Sequence, residues 1–264
     1  MSEPLRTYLD FAMETAWQAG QLTLGYFQTD IRPTFKADAS PVTVADQEAE
    51  KLIRHRIEKR FPGHAIVGEE FGDSVEHGQA ETQGQSHRWF IDPIDGTRSF
   101  VRGVPLYGVL IGLEIEGQVE VGVAHFPALN EMLGAATGEG CWWNGRRARV
   151  SNTSQLKNGL VAHYDAAAFA EHNRAEEWQR FQNIAEYRAG WCDAYGYLLV
   201  ATGRAELMLD PIMDCWDCAP FPPILREAGG YFGDWQGNCT IYGNESLATS
   251  QTLLLEVLQI INGT

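Results

Sequence analysis

Acidic side chains stand where elements of this chain end. Asp92-Pro93-Ile94-Asp95-Gly96-Thr97 follows directly on the apolar run Trp89-Phe90-Ile91. Two carboxylates at this spacing converge on one point if the chain turns tightly, and Pro93 and Gly96 supply such a turn. Carboxylates with a backbone carbonyl between them are what hard divalent cations want, Mg²⁺ being the usual candidate. Glu69 follows a second short apolar run, Ala65-Ile66-Val67, and Asp217 stands at the head of a predicted helix. Each piece alone has an ordinary explanation as a turn, a solvated loop or a helix cap. Occurring together and in this order, they exceed any one structural need. Two cations held roughly 3.5–4 Å apart by such groups form a clamp for displacement at phosphorus.

Other chemistry is poorly represented. There is no Gly-x-Ser-x-Gly, no Walker loop and no glycine fingerprint of a dinucleotide fold. The seven histidines show no His-x-x-x-His pairing. Cys215-Trp216-Asp217-Cys218 has no second cysteine pair, so it reads as incidental rather than as a zinc or redox site.

The elements around these residues follow from periodicity. Leu5, Tyr8, Leu9, Ala12 and Ala16 predict an amphipathic helix, and Ala49, Leu52, Ile53 and Ile57 a second one after Pro41. Residues 65–67 and 89–91 read as short strands, the latter stopping at Asp92, and 71–87 as a surface excursion. Residues 107–115, 119–126 and 131–137 form an antiparallel meander. A helix is expected over about 168–184. Beyond Gly190 come a helix at 194–202, a strand at 205–209, a helix ending at Gly229-Gly230, a strand at 231–235 and a last helix near 250–261. Consecutive strands followed by alternation predict a mixed α/β or α+β layered fold. We expect an N-terminal α+β subdomain over 1–150 and a C-terminal α/β subdomain over 151–264.

Composition narrows the function. The 264 residues carry 20 basic and 35 acidic side chains, a net charge of −15. Bulk electrostatics at that charge disfavours nucleic acid and anionic membrane, and suits a site that holds cations. The longest stretch free of Asp, Glu, Lys and Arg is 15–29, with three Gln, too short and too polar to span a bilayer. No basic-then-apolar leader pattern opens the chain. The five cysteines are scattered, and with no leader they are expected as reduced thiols in a cytoplasmic protein.

Read as a set, the motifs resemble the inositol monophosphatase family of Mg²⁺-dependent phosphatases. The likeness runs from Lys36 and Val42-Thr43-Val44-Ala45-Asp46-Gln47 through Gly68-Glu69-Glu70 and Asp92–Thr97. It ends with Trp216-Asp217 and Glu227-Ala228-Gly229-Gly230. The resemblance implies a layered α/β/α/β/α sugar-phosphatase fold, commonly a homodimer, and two or three Mg²⁺ ions per site. It also implies that Glu69, Asp92, the Ile94 carbonyl, Asp95 and Asp217 bind metal. Thr97 and Asp46 orient the attacking water, so that Asp46, Thr97 and Glu69 form the catalytic set. Gly96 and Thr97 contact the phosphate, their N–H groups pointing at it if a helix starts there. The implied reaction is direct in-line transfer of a phosphoryl group to metal-activated water. Lys36 adds local positive charge or is a surface lysine.

Three stretches look more like the histidinol-phosphate phosphatases of the family: 95–106, Gly190–Tyr197 and 233–237. Inositol enzymes generally have a small polar residue where Arg98 stands and a small neutral one where Asp193 stands. Inositol is neutral, whereas histidinol carries an ammonium and an imidazole, so an acid at the leaving-group end would pair with that ammonium. Asp193 is thus an expected substrate contact, with Arg98 near it; Asp210, seven residues before Asp217, resembles the family's position for a substrate-contacting acid, and the plainer reading of Asp193 is a helix N-cap. The preferred substrate is L-histidinol phosphate. Broad inositol-1-phosphate phosphatase activity, a nucleotide bisphosphatase and a catalytically silent metal-binding or regulatory homologue are the alternatives. Pro220, Pro222 and Pro223 depart from the family pattern and predict that the helix after Trp216 starts late, leaving Asp217 in the turn before it.

Overall fold

The computed structural model of the protein describes residues 3–37, 39–74 and 86–264. Residues 75–85, the middle of the predicted surface excursion, lie outside the described residues. Among the described residues no helix is long and apolar enough to cross a membrane.

Five layers stack in the order α/β/α/β/α. The first is helix α1 (Leu5–Leu24) beside α2 (Val44–Arg60), preceded by a small hairpin of β1 (Thr34–Phe35) and β2 (Pro41–Val42). The second is a sheet in the order β10-β9-β8-β7-β6-β5-β3-β4. Its strands are β3 (Ala65–Gly68), β4 (Gly72–Asp73), β5 (His87–Asp95), β6 (Gly108–Ile115), β7 (Gln118–Phe126), β8 (Glu131–Ala136), β9 (Gly140–Trp143) and β10 (Arg146–Arg147). Only β3 and β5 run parallel in it. Between β5 and β6 sits the short helix α3 (Thr97–Val101).

The other three layers follow in sequence. The second sheet has the order β12-β11-β13-β15-β14, built from β11 (Leu160–His163), β12 (Tyr187–Ala189), β13 (Leu207–Asp210), β14 (Gly230–Gly233) and β15 (Ser246–Ser250). Helices α6 (Tyr195–Ala201), α7 (Cys215–Cys218) and α8 (Phe221–Ala228) lie between the sheets. Helices α4 (Ala166–Glu171), α5 (Ala175–Ile184) and α9 (Leu254–Asn262) cover the outer face of the second.

Alternation along the strands explains the stacking. On β5, Trp89 and Ile91 face α1 and α2, where Leu9, Ala12, Ile53 and Ile57 meet them. Phe90, one residue out of phase, joins Tyr197, Phe221 and Leu225 in the central core. Both sheets are therefore buried on two faces.

The structure departs from the sequence reading in several places. β5 does not stop at Asp92 but runs through the acidic motif to Asp95, because a bulge between Asp92 and Asp95 absorbs Pro93, which has no N–H to give a ladder. The helix expected over 168–184 is two helices, broken where Asn173 adopts φ +59°. The last helix begins at Leu254, and residues 246–250 are a strand. Asp217 lies on a one-turn helix of its own. Pro220, Pro222 and Pro223 then fall at the start of α8, where a missing N–H costs nothing.

Two paired glycines bring Asp217 to the first sheet. Gly112 and Gly122 face each other across β6 and β7. A Cβ on Gly112 would stand 2.6 Å from the Ala219 Cβ, and one on Gly122 would overlap the Pro220 carbonyl. The link between α7 and α8 therefore rests directly on sheet backbone. Gly122→Ala is expected to cost about 1–3 kcal/mol in urea unfolding and to lower turnover as well, since Asp217 is three residues upstream of the clash at Pro220.

Near the other end of β5, His64 stacks on Phe61 at 5.1 Å and on His87 at 4.4 Å, and its Nδ1 accepts from Trp89 Nε1 at 3.0 Å. Burial and the neighbouring His87 push its pKa down to about 4. With the folded value below the unfolded one, its contribution to stability is present above pH 6.5 and lost as pH falls toward 4. Being half-buried, the ring contributes ~1 kcal/mol. We expect the urea midpoint of the wild type to drop between pH 7 and pH 5 more than that of His64→Gln.

Candidate active site

Each acid of the site is placed by a local backbone device. In the β5 bulge, Asp92 Oδ1 accepts from the Ile94 N–H at 2.9 Å, which curls the chain back toward the Asp92 side chain. Asp95 Oδ2 accepts from Ala194 N–H at 2.8 Å, just ahead of α6. Asp217 is the third residue of α7 and forms a reciprocal capping box with Asp214, whose N–H reaches Asp217 Oδ2 at 3.0 Å. Oxygens of Asp92, Asp95 and Asp217 all lie within 4.8 Å of one another. Glu69 lines the same cavity, and its Oε1 is 2.7 Å from Lys36 Nζ.

Crowding and burial act together on these groups. Burial first, then the charges of Glu69, Asp217 and Asp95, raises the Asp92 pKa well above the usual carboxylate range. Asp95 is raised by burial and by Asp193 and Asp217, and Asp217 is pushed up to about 8 by burial and Glu69. An oxygen-only donor set that resists its own ionisation fits a hard divalent cation, which neutralises the repulsion.

Behind the cluster, the hydroxyl of Thr97 lies 3.1 Å from Asp46 Oδ1 and 3.1 Å from the Ile94 carbonyl. Its single hydrogen goes to one of them. Asp46 is held by a second capping box at the start of α2. Its Oδ2 accepts from the Thr43 N–H at 2.8 Å and from the Thr43 hydroxyl at 2.5 Å. Burial raises its pKa, against the hydrogen bonds of Thr43 and Thr97. Gly96 precedes α3 with φ +77°, and a Cβ there would sit 2.8 Å from Asp193 Oδ2. Conformation and close approach both require glycine.

Glu69, Asp92, Ile94, Asp95, Gly96, Thr97, Arg98, Asp193, Asp210 and Asp217 thus border one cavity of about 250 Å³, with Asp46 behind Thr97. Asp193 is not a cap of α6: its Oδ2 accepts from the Ser99 hydroxyl at 3.1 Å, and Ser99 accepts from Trp191 Nε1 at 2.9 Å. Asp210 ends β13, buried, its Oδ1 accepting from Ile212 N–H at 3.1 Å, and burial raises its pKa well above the usual range. Arg98 stays exposed and donates to the Tyr164 hydroxyl at 3.2 Å. Lys36 pairs with both Glu69 and Glu70, which settles it as part of the site's surroundings.

Sequence reasoning missed Asp214, Tyr164 and Glu50. Asp214 carries a visible signal, the Asp-x-x-Asp capping box with Asp217. Glu50 is fully buried between Ala49 and Ile53, and accepts from Glu70 N–H at 2.8 Å and Arg54 Nε at 2.7 Å. It fixes the turn that carries Glu69, and only three-dimensional contact reveals that role. Because Asp217 is buried among other acids, Asp217→Asn is expected to raise the thermal midpoint of the chelator-treated protein at pH 8, by ~1 kcal/mol in stability. A lowered midpoint would mean that the cluster does not repel.

Comparison with known proteins identifies the family and the fold. The profile described as the inositol monophosphatase family matches residues 5–261. The histidinol-phosphatase of Chlorobaculum parvum is 42% identical over 93% of this chain and 93% of its own length. That of Mycobacterium tuberculosis is 33% identical over 96% and 97%. The crystal structure of the extragenic suppressor protein suhB from Bartonella henselae superposes with a TM-score of 0.88 at 25% identity, covering 97% of this chain and 98% of that one. The chain belongs to the inositol monophosphatase family and is a phosphoric monoester hydrolase.

Proposed function

We propose that the protein hydrolyses L-histidinol phosphate to L-histidinol and phosphate with Mg²⁺ as its metal. Glu69, Asp92, Asp95, Asp217 and the Ile94 carbonyl would hold the ions, two or three per site. When bound, Mg²⁺ polarises the phosphate oxygens and acidifies water. The N–H groups of Gly96 and Thr97 would take the phosphate, and Thr97 and Asp46, whose oxygens lie 3.1 Å apart, would orient the attacking water. The reading divides the chain at residue 150: Asp193, Asp210 and Asp217 come from the second part and the other site residues from the first. It also includes a cytoplasmic homodimer.

The observation that carries the substrate choice is Asp193. It borders the phosphate cavity within 2.8 Å of where a Gly96 side chain would start, and Asp210 lines the same cavity. Two acids at the alcohol end favour a leaving group with a positive charge. They disfavour the second phosphate of a nucleotide bisphosphate.

The test ranks kcat/KM for histidinol phosphate, inositol 1-phosphate and an adenosine bisphosphate in one Mg²⁺ buffer. Histidinol phosphate should lead, and Asp193→Asn should lower its ratio to inositol 1-phosphate by about tenfold or more. An unchanged ratio would discard the ammonium pairing. Asp95→Asn should abolish phosphate release; activity equal to the wild type's, at background, would favour a silent metal-binding homologue.

A further inference from the structure

A second cavity, of about 430 Å³, opens beside the carboxylate cavity, a size typical of small-molecule sites. Arg98, Tyr164 and Asp193 border both. Past that shared wall the chemistry changes from carboxylates to rings, with Trp191, Tyr164 and His163 lining the space.

Two features stand out there. Trp191 adopts φ +65°, a conformation rare for a bulky residue, and its indole is 50% exposed. The backbone holds it there: Trp191 N–H donates to the Tyr164 carbonyl at 2.9 Å and Cys192 N–H to the His163 carbonyl at 3.1 Å. Folding has thus spent backbone strain on keeping an aromatic face at the cavity. His163 is only 8% exposed, yet its Nδ1 has no hydrogen-bond partner. One side of its ring is taken by Trp178 at 4.4 Å, and its edge packs against Gly190, where a Cβ would stand 2.8 Å from Cε1. A buried imidazole without a partner asks for one.

We propose that this cavity is a slot for a planar heteroaromatic ring on the leaving group, with Trp191 as its stacking face and His163 as its hydrogen-bonding partner. The two residues then determine specificity without touching the phosphate. An imidazole suits both: it is flat, and it carries one N–H donor and one acceptor nitrogen, so it pairs with His163 in either tautomer. Asp193 stands at the junction, where an amino group between phosphate and ring would lie. The inference rests on the histidinol phosphate reading and extends it.

The test uses three esters with the same phosphate and ammonium: histidinol phosphate, phenylalaninol phosphate and 2-aminopropyl phosphate. They differ only in the ring, so any disturbance of Asp193 through Ser99 cancels in the ratios. In the wild type, kcat/KM should fall in that order. Trp191→Leu should shrink the advantage of both ring esters over 2-aminopropyl phosphate by about fivefold. His163→Phe should shrink the advantage of histidinol over phenylalaninol phosphate by about tenfold. Trp191 is half exposed, so its variant decides the matter even if His163→Phe fails to fold. Ratios unchanged in a Trp191→Leu enzyme that still prefers histidinol phosphate to inositol 1-phosphate overturn the slot and leave the substrate reading intact. A wild type that prefers inositol 1-phosphate overturns both.

Discussion

Three carboxylates whose oxygens approach within 4.8 Å of one another repel strongly in a buried cavity. The structure depends on holding them there nonetheless. Each is tied to a backbone N–H: Asp92 to Ile94, Asp95 to Ala194 and Asp217 to Asp214. These three amides come from a strand bulge, the approach to α6 and the capping box of α7. Side-chain partners would move with the charges; backbone donors inside regular elements do not. The repulsion is therefore stored rather than relaxed, and a divalent cation is the natural means of releasing it.

The layered fold supplies the anchoring points. β3 and β5 end side by side and deliver Glu69, Asp92 and Asp95, while β13 of the second sheet delivers Asp210. The layer between the sheets delivers Asp193 and Asp217 just before and within its helices. Close approach between the two halves is bought with glycine. Gly112 and Gly122 admit the Ala219–Pro220 backbone, and Gly96 admits the Asp193 carboxylate. Large side chains at any of these would separate the acids that the strands bring together.

Much of the site was legible because its acids follow apolar runs, and an acid at the end of a buried strand has few reasons to be there. The first sheet was legible for the same reason: β6, β7 and β8 are six to nine residues long with clear turns. The second sheet was legible only in part: strands were expected at 205–209 and 231–235, where β13 and β14 stand, but β11, β12 and β15 were missed. β11 and β12 have only four and three residues, too short for any periodicity to show. Glu50 and the chain from Trp191 through Ser99 to Asp193 were equally hidden, since their partners lie 20 or more residues away. The break at Asn173 shows the limit from the other side: apolar spacing continues across it while the backbone does not.

A phosphatase whose net charge is −15 must still attract a dianion. Under the proposed reading, cations held by Glu69, Asp92, Asp95 and Asp217 would do this. Asp193 and Asp210 line the same cavity, Asp193 and Arg98 bordering both cavities and Arg102 the second. Charge is thus arranged in sequence from metal to acid to ring and guanidinium. Under the proposed reading, a substrate that alternates in the matching way, phosphate then ammonium then heteroaromatic ring, would meet a favourable partner at each step. A polyol meets acids that only accept hydrogen bonds, and a bisphosphate meets repulsion. Specificity would then lie in a difference of affinities along one path rather than in the acidic cluster alone.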